Sequence, residues 1–215
     1  VSIAKQGYET TNKSASESRK QKEIKMATYA PASEKKAFKA HKEGKFSAVL
    51  CDVYELVEPN YFAGKADRTT GEIDNRQTVR KLYLSFLTSE TVEIKGEKKP
   101  AWIRQGYNFS LGENANLAKV LKAWIKDLRD ADLYERFRKS PIDDLIGTPA
   151  FIEISHSPNR NDPSNPYANV IGVAALPKFD PESGEPITPM VIPADYTRSD
   201  VKKLQDNADA RIRER

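Results

Sequence analysis

The sequence predicts a mainly β fold: a five-stranded β-barrel with one helix between its third and fourth strands and helical segments added at both ends. Three observations predict it. Five runs carry β-branched and aromatic residues at alternating positions, the period of a half-buried strand. One twelve-residue stretch, 117–128 (LAKVLKAWIKDL), instead spaces Leu117, Leu121, Trp124 and Leu128 by four, three and four, which buries a single helical stripe. Clusters of Gly, Pro and Asn separate the runs. Three strands, a helix and two strands is the element order of the five-stranded oligonucleotide-binding (OB) fold.

The first strand is 46–57 (FSAVLCDVYELV), and the loop after it, 58–77, is long and rich in turn residues. A structureless loop of that length needs either a function or disorder. The second strand, 78–87 (TVRKLYLSFL), alternates cleanly. Leu82, Leu84 and Phe86 share the core face, while Val79, Lys81, Tyr83 and Ser85 share the other. VEIKGEKKP follows as a hairpin tip bearing Lys95, Lys98 and Lys99. In the third strand, 101–111 (AWIRQGYNFSL), Ile103, Tyr107, Phe109 and Leu111 take the core parity, and Trp102, Arg104 and Asn108 the opposite one. Gly106 marks a bulge or bend. Asn114 or Asn116 caps the helix, in which Trp124 belongs to the core, as does Tyr107 in the strand before. A short helical patch and a turn at 147–149 lead into the fourth strand, 149–155 (PAFIEIS). The Pro/Asn-rich loop HSPNRNDPSNP then connects to the fifth strand, 167–176 (YANVIGVAAL).

Three segments follow: an arm over 1–43, the barrel over 44–177 and a tail over 178–215. Residues 1–25 lack periodicity and read as disordered, with translation starting either at their head or at Met26. A short helix is expected over 33–42. The tail begins as an extended Pro-rich linker and ends in a helix capped by Ser199, with Val201, Leu204, Ala208 and Ile212 as a thin apolar stripe. Charge is uneven along these segments. Residues 1–45 hold 11 Lys/Arg against 5 Asp/Glu, 46–178 hold 18 of each, and 179–215 hold 6 against 8. The net charge of +4 and pI near 9.0 therefore belong to the arm, and any nucleic-acid surface on the barrel must be a local patch.

Composition also excludes classes. Cys51 is the sole cysteine, expected as a small buried hydrophobe. With only His41 and His156 beside it, no zinc set or Cys-His or Ser-His-Asp constellation is expected. No phosphate loop or dinucleotide fingerprint is present, and Asp143-Asp144 reads as a solvated pair at a helix start. No catalytic residue, metal or cofactor is expected, and no apolar run is long enough to span a bilayer. The expectation is a non-enzyme of the cytoplasm.

What remains is aromatic and basic residues at matching parity. Single strands are held by stacking bases on aromatic rings while Lys and Arg neutralise phosphates. Tyr83 with Lys81 and Trp102 with Arg104 fit that role on adjacent strands. The first loop adds Tyr61, Phe62, Lys65, Arg68 and Arg76, with Arg80 beside it; Lys98 and Lys99 stand in the hairpin, and Arg160 in the last loop. Each pairing also reads as an ordinary exposed cross-strand contact.

GKFSAVLCDVYEL, RKLYLSFL, YNFSLGENANLAKVLKAW, IDDLIGTPAFIEISHS and YANVIGVAALP together resemble a group of small bacteriophage single-stranded DNA-binding or replication-associated proteins of OB-like fold. The resemblance covers 44–177. It implies weakly sequence-specific binding of single-stranded DNA during phage replication or recombination in the host cytoplasm, with replication or recombination proteins as partners and self-association into homo-oligomers. Two other functions fit the same elements. One is a protein-binding OB module of a phage assembly or host-enzyme inhibitor; the other is a strand-annealing recombination factor. Four phosphate contacts on a single strand would give a log-log salt slope of roughly −3.

Overall fold

The predicted alternation becomes a single antiparallel sheet in a computed structural model that describes residues 41–94, 96–160, 162–180 and 183–214. The arm, its short helix and the alternative start at Met26 lie outside these residues. The strands are β1 (Gly44–Pro59), β2 (Thr78–Ile94), β3 (Glu97–Asn108), β4 (Pro149–Ser157) and β5 (Tyr167–Ala174), ordered β3-β2-β1-β4-β5. Three helices accompany them: α1 (Asn116–Trp124), α2 (Leu133–Lys139) and α3 (Val201–Arg213). The described fold is thus mainly β, with the first helix between the third and fourth strands as the sequence predicts.

β1 is the hub. Its residues Gly44 to Val49 pair with β4, and Ala48 to Pro59 pair with β2. An irregularity at Cys51 shifts the register, so that Leu50 opposes Phe86 while Asp52 opposes Ser85. The extra residue changes which side chains face which way. Leu50 and Val53 turn into the main core with Leu82, Leu84, Phe86, Ile103, Ile152 and the stripe of α1, whereas Val49 and Cys51 turn to the other face. The core parities read from β2 and β3 hold. Trp124 seats in the core edge-on to Phe86, and its indole N–H donates to the Pro149 carbonyl at 2.7 Å.

The sheet curls until β3 and β5 approach each other, yet no hydrogen-bonded ladder joins them. Among the described residues it is an open, barrel-like sheet, where the sequence predicts a five-stranded barrel. Several element bounds also differ. The expected hairpin tip is mostly strand: Val92 opposes Lys99, Glu93 opposes Lys98 and Ile94 opposes Glu97, with Gly96 turning at φ 84°. Opposite charges across the ladder and the β-branched Thr91 and Val92 outweigh the polar composition of the segment. α1 stops at Trp124, after which 126–128 tighten into a 3-10 turn. Its cap is Ala115, without a side-chain hydrogen bond, because Asn116 is already the first helical residue and Asn114 lies one place too early.

Gly106 is neither bulge nor bend. It pairs regularly with Tyr83, and a Cβ at this position would lie 2.7 Å from the Tyr83 ring. The glycine therefore leaves room for an aromatic ring to lie across the sheet. Gly106→Ala is expected to cost about 1–3 kcal/mol through forced repacking, measured by urea unfolding. The same substitution in a Tyr83→Ala background should cost far less, because the obstructing ring is gone.

Candidate nucleic-acid interface

The ladder register brings Lys81, Tyr83, Trp102 and Arg104 onto one face, as their parities predict. Tyr83 stacks on Tyr54 of β1 at 5.3 Å between ring centroids and 15° between planes. The Arg104 guanidinium lies 5.4 Å from the Tyr83 ring and 5.8 Å from the Trp102 ring, and it donates to the Tyr54 hydroxyl at 3.1 Å. The result is one cation set among three aromatic rings. Arg104 is exposed, Trp102 is 38% exposed, and Tyr83 is half-buried.

The chain's own C-terminal segment closes over much of this face. Met190, Ile192 and Tyr196 pack on Val49, Cys51 and Leu87. A polar relay fixes Tyr196: the Trp102 indole donates to the Tyr196 hydroxyl, which donates to the Cys51 thiol, which donates to the Ser85 carbonyl at 3.2 Å. Burial, the largest influence, pushes the Cys51 thiol up to about 11. The predicted linker is therefore a strap bound to the sheet, and Cys51, buried as expected, is one of its seats.

Two carboxylates on β1 anchor the strap. Asp52, 1% exposed, accepts from Arg198 Nε at 2.9 Å and from the Ser199 backbone N–H at 2.8 Å. Asp143 also takes Arg198, at 3.2 Å. Ser199 is consequently not the cap of α3; Asp200 is, accepting from the Lys203 N–H at 3.0 Å. Further along, Glu58 gathers Lys81 at 3.0 Å, Arg211 of α3 at 3.3 Å and the Tyr83 hydroxyl. Burial opposes its ionisation, but the hydrogen bonds from Tyr83 and Lys81 and the charges of Lys81 and Arg211 outweigh it, holding the carboxyl below its ordinary range. Between these anchors Gln205 accepts from the Val57 N–H at 3.0 Å and donates to the Val57 carbonyl at 3.1 Å. A side-chain amide thus stands in for a strand where β1 runs on past β4. Of the predicted stripe on α3, Ala208 is fully buried, Leu204 and Ile212 are half-buried, and Val201 is 40% exposed.

The first loop is ordered rather than structureless. Asn60, 5% exposed, donates to Asp74 at 3.1 Å and to the Arg76 carbonyl at 3.0 Å, and it accepts from the Phe62 N–H at 3.0 Å. Asp67 caps the far end by accepting from the Thr69 and Thr70 N–H groups. This clasp presents Tyr61 and Phe62, 51% and 71% exposed, at the rim of a cleft of about 610 Å³. Lys65, Arg68, Arg76 and Lys81 line the same cleft, so six of the thirteen predicted residues meet there. The Lys65 ammonium lies 5.8 Å from the Phe62 ring, and no ion pair among the described residues engages Lys65 or Arg68. Arg76 is held by Asp74 at 2.7 Å, which with their further hydrogen bonds keeps that carboxyl well below its ordinary range.

The remaining predicted residues lie elsewhere. Arg80 binds Glu55 through both nitrogens of its fork and covers the Phe109 ring at 5.3 Å. Lys98 faces Glu93 across the β2–β3 ladder, Lys99 pairs with Glu97 at 3.2 Å, and Arg160 is exposed in the β4–β5 loop. Sequence pattern missed Asp52, Glu58, Arg198 and Gln205. Asp52, Glu55 and Glu58, three acids inside a mostly apolar strand, were the available signal, because buried carboxylates require partners.

Among the described residues, no three His, Cys, Asp or Glu cluster to hold a metal, and no helix is long and apolar enough to cross a membrane. No family model matches the chain, and no curated protein or solved structure shows significant similarity to it.

Two outcomes follow from the strap. Arg198→Ala leaves Asp52 buried without its charge partner, a loss on the order of 3 kcal/mol. Maleimide labelling of Cys51 should then accelerate by up to about two orders of magnitude through local opening; an unchanged rate would mean that the strap holds without Arg198. The second outcome concerns acid. Because Glu58 is depressed below its ordinary value of 4.5, its stabilisation is complete above that value and is lost as the pH falls through and below it. The wild-type melting temperature should fall more steeply between about pH 5 and 3 than that of Glu58→Gln, which starts lower and has no carboxyl to titrate there.

Proposed function

We propose that this protein is a non-catalytic single-stranded DNA-binding protein of OB type. It binds with weak sequence preference and serves phage replication or recombination in the cytoplasm of the bacterial host. Two features support the fold assignment: the order β3-β2-β1-β4-β5, with α1 between β3 and β4, and the approach of β3 to β5, as in a partly open five-stranded barrel.

The observation that carries the functional assignment is the loop cleft. Phe62 is an exposed ring beside Lys65, Arg68 stands nearby without an ion pair among the described residues, and Tyr61 flanks them, on a loop braced by its own hydrogen bonds. Rings for stacking and cations for phosphate in one groove are what a single strand requires. The strand is assigned to this cleft rather than to the Tyr83–Trp102 face because the rings and cation of the latter are engaged within the chain, Tyr83 on Tyr54 and Arg104 on the Tyr54 hydroxyl, and the strap packs beside them. The neutral charge balance of 46–178 favours a second function, a protein-binding module, in which Phe62 and Tyr61 would dock on a partner instead.

Fluorescence polarisation of a labelled dT oligonucleotide at several salt concentrations separates these functions. Binding through Lys65 and Arg68 should weaken with salt at a log-log slope of about −1.4, shallower than four contacts would give. Phe62→Ala should remove about 1–3 kcal/mol by loss of one stacking platform. No binding at low salt would overturn the DNA assignment in favour of the protein-binding one.

A further inference from the structure

The loop cleft does not end at Lys81. A second cleft, of about 1030 Å³, shares Phe62, Lys81 and Asn108 with it and runs on past the end of β3 to the start of α1 and the middle of β5. It follows the gap where the sheet fails to close. Its lining differs in chemistry from the first. The loop cleft is walled by cations and carboxylates, whereas the second is walled by the carboxamides Gln105, Asn108, Asn114 and Asn116, with Lys119 as its further cation and Glu113 as its acid. Among the described residues, Asn108, Asn114 and Asn116 make no side-chain hydrogen bond, and all three are exposed. Ile171 of β5, 62% exposed, stands opposite them as an apolar wall.

We propose that a single strand, after stacking in the loop cleft, continues into this second cleft, where the asparagine carboxamides hydrogen-bond the edges of its unstacked bases and Lys119 meets a phosphate. This rests on the DNA-binding assignment and extends it. An asparagine amide offers one acceptor and two donors in a plane, which matches the paired donor and acceptor atoms of a base edge. Bases of a single strand are free to present those edges because no complementary strand occupies them. The apolar face of Ile171 suits the flat ring of a base once its edge is held. The shared position of Phe62 makes it the ring around which the strand turns from one cleft to the next. Of these second-cleft residues only Asn108 shares the outward parity of Trp102 and Arg104, and the set is drawn from β3, α1 with the turn before it, and β5.

The experiment compares dT4 with dT12 on the full chain, using wild type and the variant Asn114→Ala/Asn116→Ala/Lys119→Ala, whose residues line only the second cleft. All three side chains are exposed, and circular dichroism confirms the fold of the variant. The expected result is a loss of about ten-fold or more on dT12, the scale of one good base-edge contact, with dT4 affinity unchanged because the short strand is satisfied in the loop cleft. A variant that binds dT12 like wild type overturns the extension while leaving the DNA assignment standing. Equal losses on both lengths overturn it too, because the second cleft would then not be a continuation. Absence of wild-type binding to either length overturns both.

Discussion

The carboxylates of Asp52 and Glu58 are the constraint on which the rest of this structure depends. Both lie on β1, the central strand, and both are nearly withdrawn from water. A charge in that position is tolerated only with a partner of opposite sign and hydrogen bonds to its oxygens. Arg198 with the Ser199 amide meets that demand for Asp52, and Lys81, Arg211 and Tyr83 meet it for Glu58. Two of these three cations, Arg198 and Arg211, come from the last part of the chain, so the carboxylates decide where the tail goes. Once Arg198 and Arg211 are placed, Gln205 falls beside the uncovered edge of β1, and Tyr196 falls over Cys51.

That placement also decides which surface the tail covers. The face with the densest aromatic and basic character, around Tyr83, Arg104 and Trp102, is engaged internally: its rings stack on one another and on Arg104, and its polar ends reach Glu58 and Tyr196. Aromatic–cation pairing serves packing and recognition by the same physics, and the deciding difference is whether the counter-charges come from the chain itself. On β1–β3 they do. In the first loop, Asn60 and Asp67 spend their hydrogen bonds on shaping the backbone, which leaves Phe62 and Lys65 turned outward.

Openness of the sheet has a related consequence. In a fully closed barrel the edge of β3 would be consumed by β5; here the two approach without a ladder, and a groove lined by amides occupies the seam. Edge strands are ordinarily covered or defended. β3 carries Lys98, Lys99, Pro100 and Arg104, which discourage pairing with another chain, while the uncharged edge of β5 lies beside the groove.

Much of the fold was legible in the sequence. Alternation in 78–87 and 101–111 separated Leu82, Leu84, Phe86 and Ile103 from Lys81, Tyr83, Trp102 and Arg104, because side-chain direction along a strand is a local property of the backbone. The four-three-four spacing of Leu117, Leu121, Trp124 and Leu128 located α1 for the same reason. Closure, strand length beyond the apolar runs and the fate of the tail were not legible, because they depend on residues far apart in the chain. The cation that neutralises Asp52 lies 146 residues away, and nothing near either residue announces the pairing. Of the candidate site, the sequence by itself determined which residue types share a face and which loop carries rings beside cations. Only the tertiary structure decided that the tail packs over much of the β2–β3 face while Tyr61 and Phe62 of the loop cleft stay exposed, because the contacts that place the tail join residues far apart in the chain.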